Sequence, residues 1–286
     1  MALNIIVCIK SVILNALPGR NKRTSANIEL NPFDKPVIEM ALSLTREGQG
    51  EVTVISMGPK NATFGLYQAM AMGADRSILI SDPAMKESDT YITAKVLGTA
   101  IEKLLPADLI LFGTRSSDSD TGHVGPQTAE MLNLPFISNI HKLSLAKKEE
   151  VTPKYLSEDV SGLADISPSL GLGYNLSVER KMDGYLESFE LHTPAAFTVS
   201  PSYGNGEWNI NSLYGIEDAF NKKSVELWTN ETLDLETDKT GLAASPTKII
   251  SWNKVKKIKN CTFIEGAPEQ KAQQLTEKLL QAGFIG

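Results

Sequence analysis

Asp108–Pro135 reads DLILFGTRSSDSDTGHVGPQTAEMLNLP, and the fold turns on how its three parts are read. The apolar run Leu109–Phe112 predicts a short buried strand. Gly113 ends that run, and a loop of Ser, Asp, Thr and Gly follows. A helix is expected near Pro126, which suits the first helical position, with Ala129, Met131 and Leu132 on one face. Two readings fit this strand–loop–helix unit. In one, the open N–H groups and positive dipole end of the helix receive a phosphate, and Gly122 and Gly125 let the backbone approach it closely. In the other, the stretch is a plain strand-to-helix turn with no ligand. Short glycine motifs arise by chance often enough that these residues alone leave both readings open.

Upstream, buried strands alternate with amphipathic helices. Asn4–Ile9 is apolar and β-branched and predicts a strand. Ser11–Asn27 is a polar connection. Asn31 is expected to cap a helix with Pro32 at its first position and Val37, Ile38, Ala41, Leu42 and Leu44 on its buried face. Val52–Ser56 is the next strand, and Gly58-Pro59 turns into a helix that ends at Gly73. Ser77–Ile80 is a strand, and Ser88 or Asp89 caps a helix over Tyr91–Leu105. This alternation predicts an α/β fold, doubly wound, with a mostly parallel sheet and helices on both faces. Ligands of such sheets sit at the carboxyl ends of the strands, here Cys8–Lys10, Ser56–Gly58 and Gly113–Arg115.

Downstream the pattern changes. Phe136–Leu145 and Leu170–Leu176 are expected strands, separated by a polar stretch with no assignable structure over about 147–169. Val178–Met182, Tyr185–Leu191 and Ala196–Val199 alternate like antiparallel strands, with a turn at Asp183-Gly184, and predict an antiparallel extension of the sheet. Ile216–Lys223 reads as a short helix. The expected domain covers residues 1–229. Residues 230–286 read either as an extended arm ending in an amphipathic helix over Pro268–Ala282 that reaches a partner subunit, or as a loosely ordered tail, and the residues alone leave both readings open.

Composition narrows the function. The chain has 286 residues and a net charge of −6, which disfavours nucleic acid and anionic membranes as partners. Two cysteines, Cys8 and Cys261, exclude a disulfide framework and a Cys-based zinc or iron–sulfur site, and fit a reduced cytoplasmic protein. MALNIIVCIK has too short an apolar core for a signal peptide, and no apolar run reaches bilayer length, so the protein is not expected to be membrane-embedded. Asp118-Ser119-Asp120 lacks the further oxygen ligands and terminal Glu of a calcium loop, and no metal is expected.

Six stretches, in order along the chain, carry a resemblance: LNPFDKPVIEMALSL (30–44), VTVISMGP (52–59), AMAMGADRSILISD (69–82), GTRSSDSDTGHVGPQTAEMLNLP (113–135), VERKMDGYLESFELHTPAAFTV (178–199) and GLAASPTKI (241–249). Together they resemble the electron-transfer flavoprotein β subunit over nearly the whole chain. The resemblance implies a Rossmann-like fold of the adenine-nucleotide α-hydrolase kind, a bound nucleotide, and a heterodimer with an electron-transfer flavoprotein α subunit. DTGHVGPQTAE is similar to the form found in the bifurcating branch, which implies FAD in the crevice. AMP, as a non-redox filler with the redox FAD in the α subunit, is the alternative. A bifurcating member would take a hydride from NADH, then pass one electron to an acyl-CoA-type or other flavin dehydrogenase and the other to ferredoxin or flavodoxin.

The resemblance also assigns roles. Val7, Cys8 and Ile9 would line the base or ribose, Asn31 and Asp34 would hydrogen-bond it, and Ser56 and Met57 would pack on the adenine. Thr121, Gly122, His123, Val124, Gly125, Gln127 and Thr128 would contact phosphate, with Gly113, Arg115 and Asp120 in the same loop. Arg115 is either a phosphate partner or a surface residue. Asp118 and Asp120 are unfavourable beside a phosphate, and local N–H groups are their expected partners. No catalytic residue is expected; a lone His123 has no nucleophile to activate. The chain departs from the family at Arg115-Ser116-Ser117, His123 and Tyr185. It departs again at Ser200–Ile216, where Leu213 takes the apolar docking position but the family's Arg is missing.

Overall fold

The computed structural model describes residues 2–13, 28–48, 50–147, 173–206, 213–222, 224–248, 250–251 and 261–285. Nearly all of the expected 147–169 insertion lies outside these residues, as does most of the Ser11–Asn27 connection. The chain separates into two compact units, Met1–Lys248 and Ile249–Gly286.

The first unit begins with β1 (Leu3–Cys8) and a short antiparallel pair, β2 (Ser11–Ile13) and β3 (Ile28–Leu30). Then α1 (Lys35–Gly48), β4 (Gly50–Met57), α2 (Thr63–Met72), β5 (Arg76–Ile80), α3 (Thr90–Glu102) and β6 (Leu109–Gly113) alternate. Helix α4 (Val124–Met131) leads into β7 (Phe136–Lys147), β8 (Tyr174–Met182), β9 (Tyr185–His192) and β10 (Ala195–Val199). The unit closes with α5 (Leu213–Lys222), β11 (Glu226–Trp228) and α6 (Gly241–Ala244).

The main sheet has the order β11-β5-β4-β1-β6-β10-β7-β8-β9. It is parallel from β11 to β7, and β8 and β9 extend it as the expected antiparallel hairpin. In β1, Val7 lies opposite Val54 of β4 on one side and Leu111 of β6 on the other. The chain leaves β1 for β4 and β5, then returns to β6, so the strand order reverses between β1 and β6. That reversal opens a crevice at the carboxyl ends of the two strands.

Both faces of the central strands are covered. Ile5 and Val7 pack beneath α1 and α2 with Val37, Ile38, Leu66 and Ala69. Ile6 and Cys8 point the other way, towards Ile92 and Val96 of α3 and Ala129 of α4. Alternation along a strand sends neighbours to opposite faces, which is why these runs are apolar at nearly every position. Each fully buried Ile or Leu contributes about 1.5–3 kcal/mol.

Several expectations shift. Strand β10 is not part of an antiparallel meander: it lies between β6 and β7, parallel to both, and every residue of AAFTV is buried. An apolar run without alternation is the mark of a central parallel strand. Helix α1 starts at Lys35, with Asn31 bonding the Asp34 N–H through its carbonyl at 2.9 Å in the preceding turn. Helix α4 starts at Val124, so Pro126 is its third residue, still in the first turn where its missing N–H costs nothing. Residues 230–248 belong to the first unit. Leu233 is buried in its core, and the Thr247 N–H bonds Asp89 Oδ2 at 2.8 Å. The second unit contains α7 (Pro268–Gln281), on which no residue is buried.

Candidate functional site

The site starts from one buried carboxylate. Asp34 is 3 % exposed. Its Oδ2 accepts the Lys10 N–H at 2.7 Å and its Oδ1 accepts the Asn31 side-chain amide at 2.9 Å. The same amide donates to the Arg115 carbonyl at 2.9 Å, and Asn31 Oδ1 accepts the Ser117 N–H at 3.2 Å. The Asn31–Asp34 turn therefore fastens the exit of β1 to the loop that follows β6. Gly113 completes the joint: a Cβ there would lie 2.2 Å from Asp34 Oδ1 and 3.0 Å from the Phe33 carbonyl.

Burial pushes the Asp34 carboxyl up from 3.8 to about 7; the Lys10 N–H, the Asn31 amide and the Lys10 charge pull it down, and Asp118 raises it. Burial, with the Asp34 charge, also raises the Cys8 thiol well above its ordinary value.

The loop beyond Gly113 is knitted by charge. Lys10 Nζ pairs with Asp118 at 2.8 Å, and Arg115 pairs with Asp120 at 3.3 Å while its guanidinium lies 4.6 Å from the centre of the Phe33 ring. Both pairs are solvated, so each is worth about 1 kcal/mol at most. Their effect is on placement: each loop carboxylate is drawn to a cation. The Ser116 and Ser119 hydroxyls meet at 2.8 Å, and the Asp120 N–H bonds the Ser116 carbonyl at 2.8 Å. Asp120 and Gly122 take left-handed backbone, φ 59° and 66°.

The loop delivers the chain to α4. Thr121 and His123 are exposed, and His123, at the cap position, makes no side-chain cap bond. The first-turn N–H groups of Val124 and Gly125 lack intrahelical acceptors, as in any helix. Gln127 Oε1 is buried without a hydrogen-bond partner among the described residues. The Thr128 hydroxyl bonds back to the Val124 carbonyl at 2.8 Å and is spent within the helix. Gly125 is small for packing: a Cβ would lie 3.1 Å from Thr198 Cγ2 and 3.3 Å from the Phe112 ring.

Beside this turn lies a cavity of about 360 Å³ lined by Thr114, Arg115, Gly122, Pro126, Phe136, Ser138, Asn139, Thr198 and Pro201. Sequence reasoning named Arg115 and Gly122 but missed the residues from β7, β10 and Pro201, because it did not place β10 beside β6. The run AAFTV, apolar but for Thr198, was the signal for that placement. Of the expected base-lining residues, Cys8 and Met57 lie on the α3–α4 face. Val7 and Ile9 are packed beneath α1 and α2. Ser56 shares that second face by alternation with Val54, is fully buried, and its hydroxyl has no partner among the described residues. The Leu213 side chain lies outside what the structure describes. No helix among the described residues is long and apolar enough to cross a membrane, and no three His, Cys, Asp or Glu residues among them could hold a metal ion.

Comparison with known proteins places this architecture. The chain is 33 % identical over 250 residues to the electron transfer flavoprotein subunit beta of Thermoanaerobacterium thermosaccharolyticum, covering 87 % of this chain and 85 % of that one. It is 28 % identical over 292 residues to the subunit of the same name from Clostridium acetobutylicum, covering 99 % of this chain and all of the other. It is 29 % identical over 254 residues to subunit CarD of the caffeyl-CoA reductase-Etf complex of Acetobacterium woodii, covering 86 % of each chain. The electron transfer flavoprotein domain matches residues 22–204. With that match spanning more than half its length, on a doubly wound sheet, the chain belongs to the electron transfer flavoprotein family and is similar to its beta subunits.

Proposed function

We propose that this chain is the β subunit of a heterodimeric electron-transfer flavoprotein that holds an adenine nucleotide at the first turn of α4. The observation that carries the reading is that turn: Gly122 and Pro126, on either side of the start of α4, line a cavity, and both nearby loop acids are paired with cations. Such a turn suits a phosphate. The buried, unpartnered Gln127 Oε1 fits a polar ligand, since a buried acceptor without a donor is costly.

In this reading Val124 and Gly125 bind phosphate through backbone N–H groups, Thr121 and His123 flank it, and Cys8 and Met57 border the base. Asn31 and Asp34 act by fixing the loop, because their side chains are engaged with Lys10, Arg115 and Ser117. The nucleotide is FAD in the leading reading, supported by the resemblance of DTGHVGPQTAE to the bifurcating branch. Bound FAD would supply the one- and two-electron chemistry, and the protein position and electrostatics. AMP is the second reading. The cavity, at about 360 Å³, stands at the low end of the roughly 300–1,000 Å³ range of ligand pockets and suits an adenylate alone. The α subunit is the proposed constitutive partner. An acyl-CoA-type dehydrogenase is the proposed electron partner, supported by a relative named for a caffeyl-CoA reductase complex. NADH as hydride donor and ferredoxin or flavodoxin as second acceptor belong to the bifurcating form.

The test is to co-express the chain with its α partner, release the nucleotides with acid and count them. Two FAD per heterodimer support the leading reading. One FAD and one AMP support the second. Absence of any adenine nucleotide beyond the α-subunit FAD overturns both.

A further inference from the structure

We propose that the Asp34 carboxylate is a proton-sensitive clamp that positions the Gly113–Gly122 loop for its ligand, holding the loop when ionised and releasing it when protonated. The consequence for binding rests on the nucleotide reading above; the clamp itself is made of protein groups.

The argument is one of hydrogen-bond parity. Both Asp34 oxygens face N–H donors, the Lys10 amide at 2.7 Å and the Asn31 side chain at 2.9 Å. An ionised carboxylate only accepts, so it satisfies both. A proton on either oxygen turns it into a hydroxyl, a much poorer acceptor, and the bond that oxygen receives is weakened. The side chain has little room to turn away, because the Gly113 backbone presses against Oδ1 so closely that no Cβ fits.

Asn31 passes the loss on. Its amide is shared between Asp34 and the Arg115 carbonyl, and its oxygen holds the Ser117 N–H. Once Asp34 stops accepting, Asn31 is free to turn, and its two attachments to the loop go with it. Around the carboxyl, burial favours the proton, Lys10 at the β1 exit opposes it, and Asp118 on the loop favours it. Cys8 of β1 is neutral, its thiol held well above the ordinary range. Arg115 turns its guanidinium away, towards Phe33 and Asp120. The balance sets the carboxyl near neutrality, at about 7.

The test is amide hydrogen exchange on the full chain, read as protection factors at Lys10 and Ser117 between about pH 5.5 and about pH 8.5. A carboxyl titrating near 7 predicts a fall of about tenfold or more at both amides as the pH drops. Asp34→Asn should remove the pH dependence. Protection that is flat with pH in the wild type overturns the proposal. If Asp34→Asn does not fold, Asn31→Ala keeps the Asp34–Lys10 bond. There the proton goes to Oδ1, which no longer faces a donor, so Lys10 protection must be flat with pH while Ser117 is unprotected throughout, and a Lys10 profile that still follows pH as in the wild type overturns the clamp. Calorimetry with AMP over the same range separates the two readings. Affinity that falls about tenfold towards low pH, relative to Asp34→Asn, supports clamp and nucleotide together. Failure of AMP to bind at any pH, with exchange still pH-dependent, supports the clamp and removes the nucleotide reading. AMP affinity that tracks Asp34→Asn at every pH overturns the positioning role.

Discussion

Gly113 and Asp34 are fitted to one another, and each can be tested by changing the other's surroundings. Gly113→Ala drives a methyl to 2.2 Å from Asp34 Oδ1 and 3.0 Å from the Phe33 carbonyl. Overpacking of this kind costs about 1–3 kcal/mol, to be read as a lowered urea midpoint with an unchanged slope. Asp34 also makes stability depend on pH, with a sign opposite to that of an exposed, ion-paired acid. Its folded pKa of about 7 lies above the ordinary 3.8, so the folded state holds the proton more tightly. The contribution of Asp34 to stability is therefore greatest below about pH 4, falls as the pH rises to about 7, and then levels off. The fall is bounded at about 4 kcal/mol, since each tenfold change in proton affinity is worth about 1.4 kcal/mol. Urea unfolding of wild type and Asp34→Asn across that range should show the difference moving in favour of the variant as the pH rises. The NPFD turn stood out in the sequence, yet its function in the fold did not. The partners of Asn31 and Asp34 include Arg115, 84 residues away, and Lys10, 24 residues away, and no local pattern encodes such pairs.

Elements were legible in proportion to how many faces they bury. Strands β1, β4, β5 and β6 are apolar at nearly every position because helices cover both sides, and they fall within two residues of expectation at either end. Helix α3 announces its own start, with Asp89 Oδ1 accepting the Ile92 N–H at 3.0 Å. The three-residue strands β2, β3 and β11 carry too few positions for any period to register. Strand β10 was legible as a strand but not as a parallel one, since only its neighbours decide direction. Helix α5 was expected from its periodicity, and the structure adds what holds it: Phe220 stacks on Tyr67 of α2 with centroids 4.7 Å apart and approaches Phe64 at 6.0 Å. Phe220→Ala should destabilise the first unit by about 1 kcal/mol, the usual worth of an aromatic pair. Thermal unfolding reads this as a downward shift in midpoint.

At the scale of the whole molecule, the first unit carries its own core. Its buried apolar side chains run from Leu3 to Leu233, while α7 in the second unit buries none. A chain ending at Lys248 should therefore unfold cooperatively with a midpoint close to that of the full chain, as measured by circular dichroism. Leu275, Leu280 and Phe284 stay exposed on and just after α7, an arrangement that suits the proposed α partner. The sequence located the crevice through the order of strands and helices. It left the cavity wall unread, because Phe136, Asn139 and Thr198 converge on it only once β10 is threaded between β6 and β7. The central claim is that the first-turn amides of α4 grip an adenylate phosphate. Titrating the deuterated, ¹⁵N-labelled chain with AMP and following amide shifts tests it most directly. The account predicts saturable shifts concentrated on Gly122, His123, Val124 and Gly125; shifts that leave these four unmoved while others saturate, or no saturable shift at all, would contradict it.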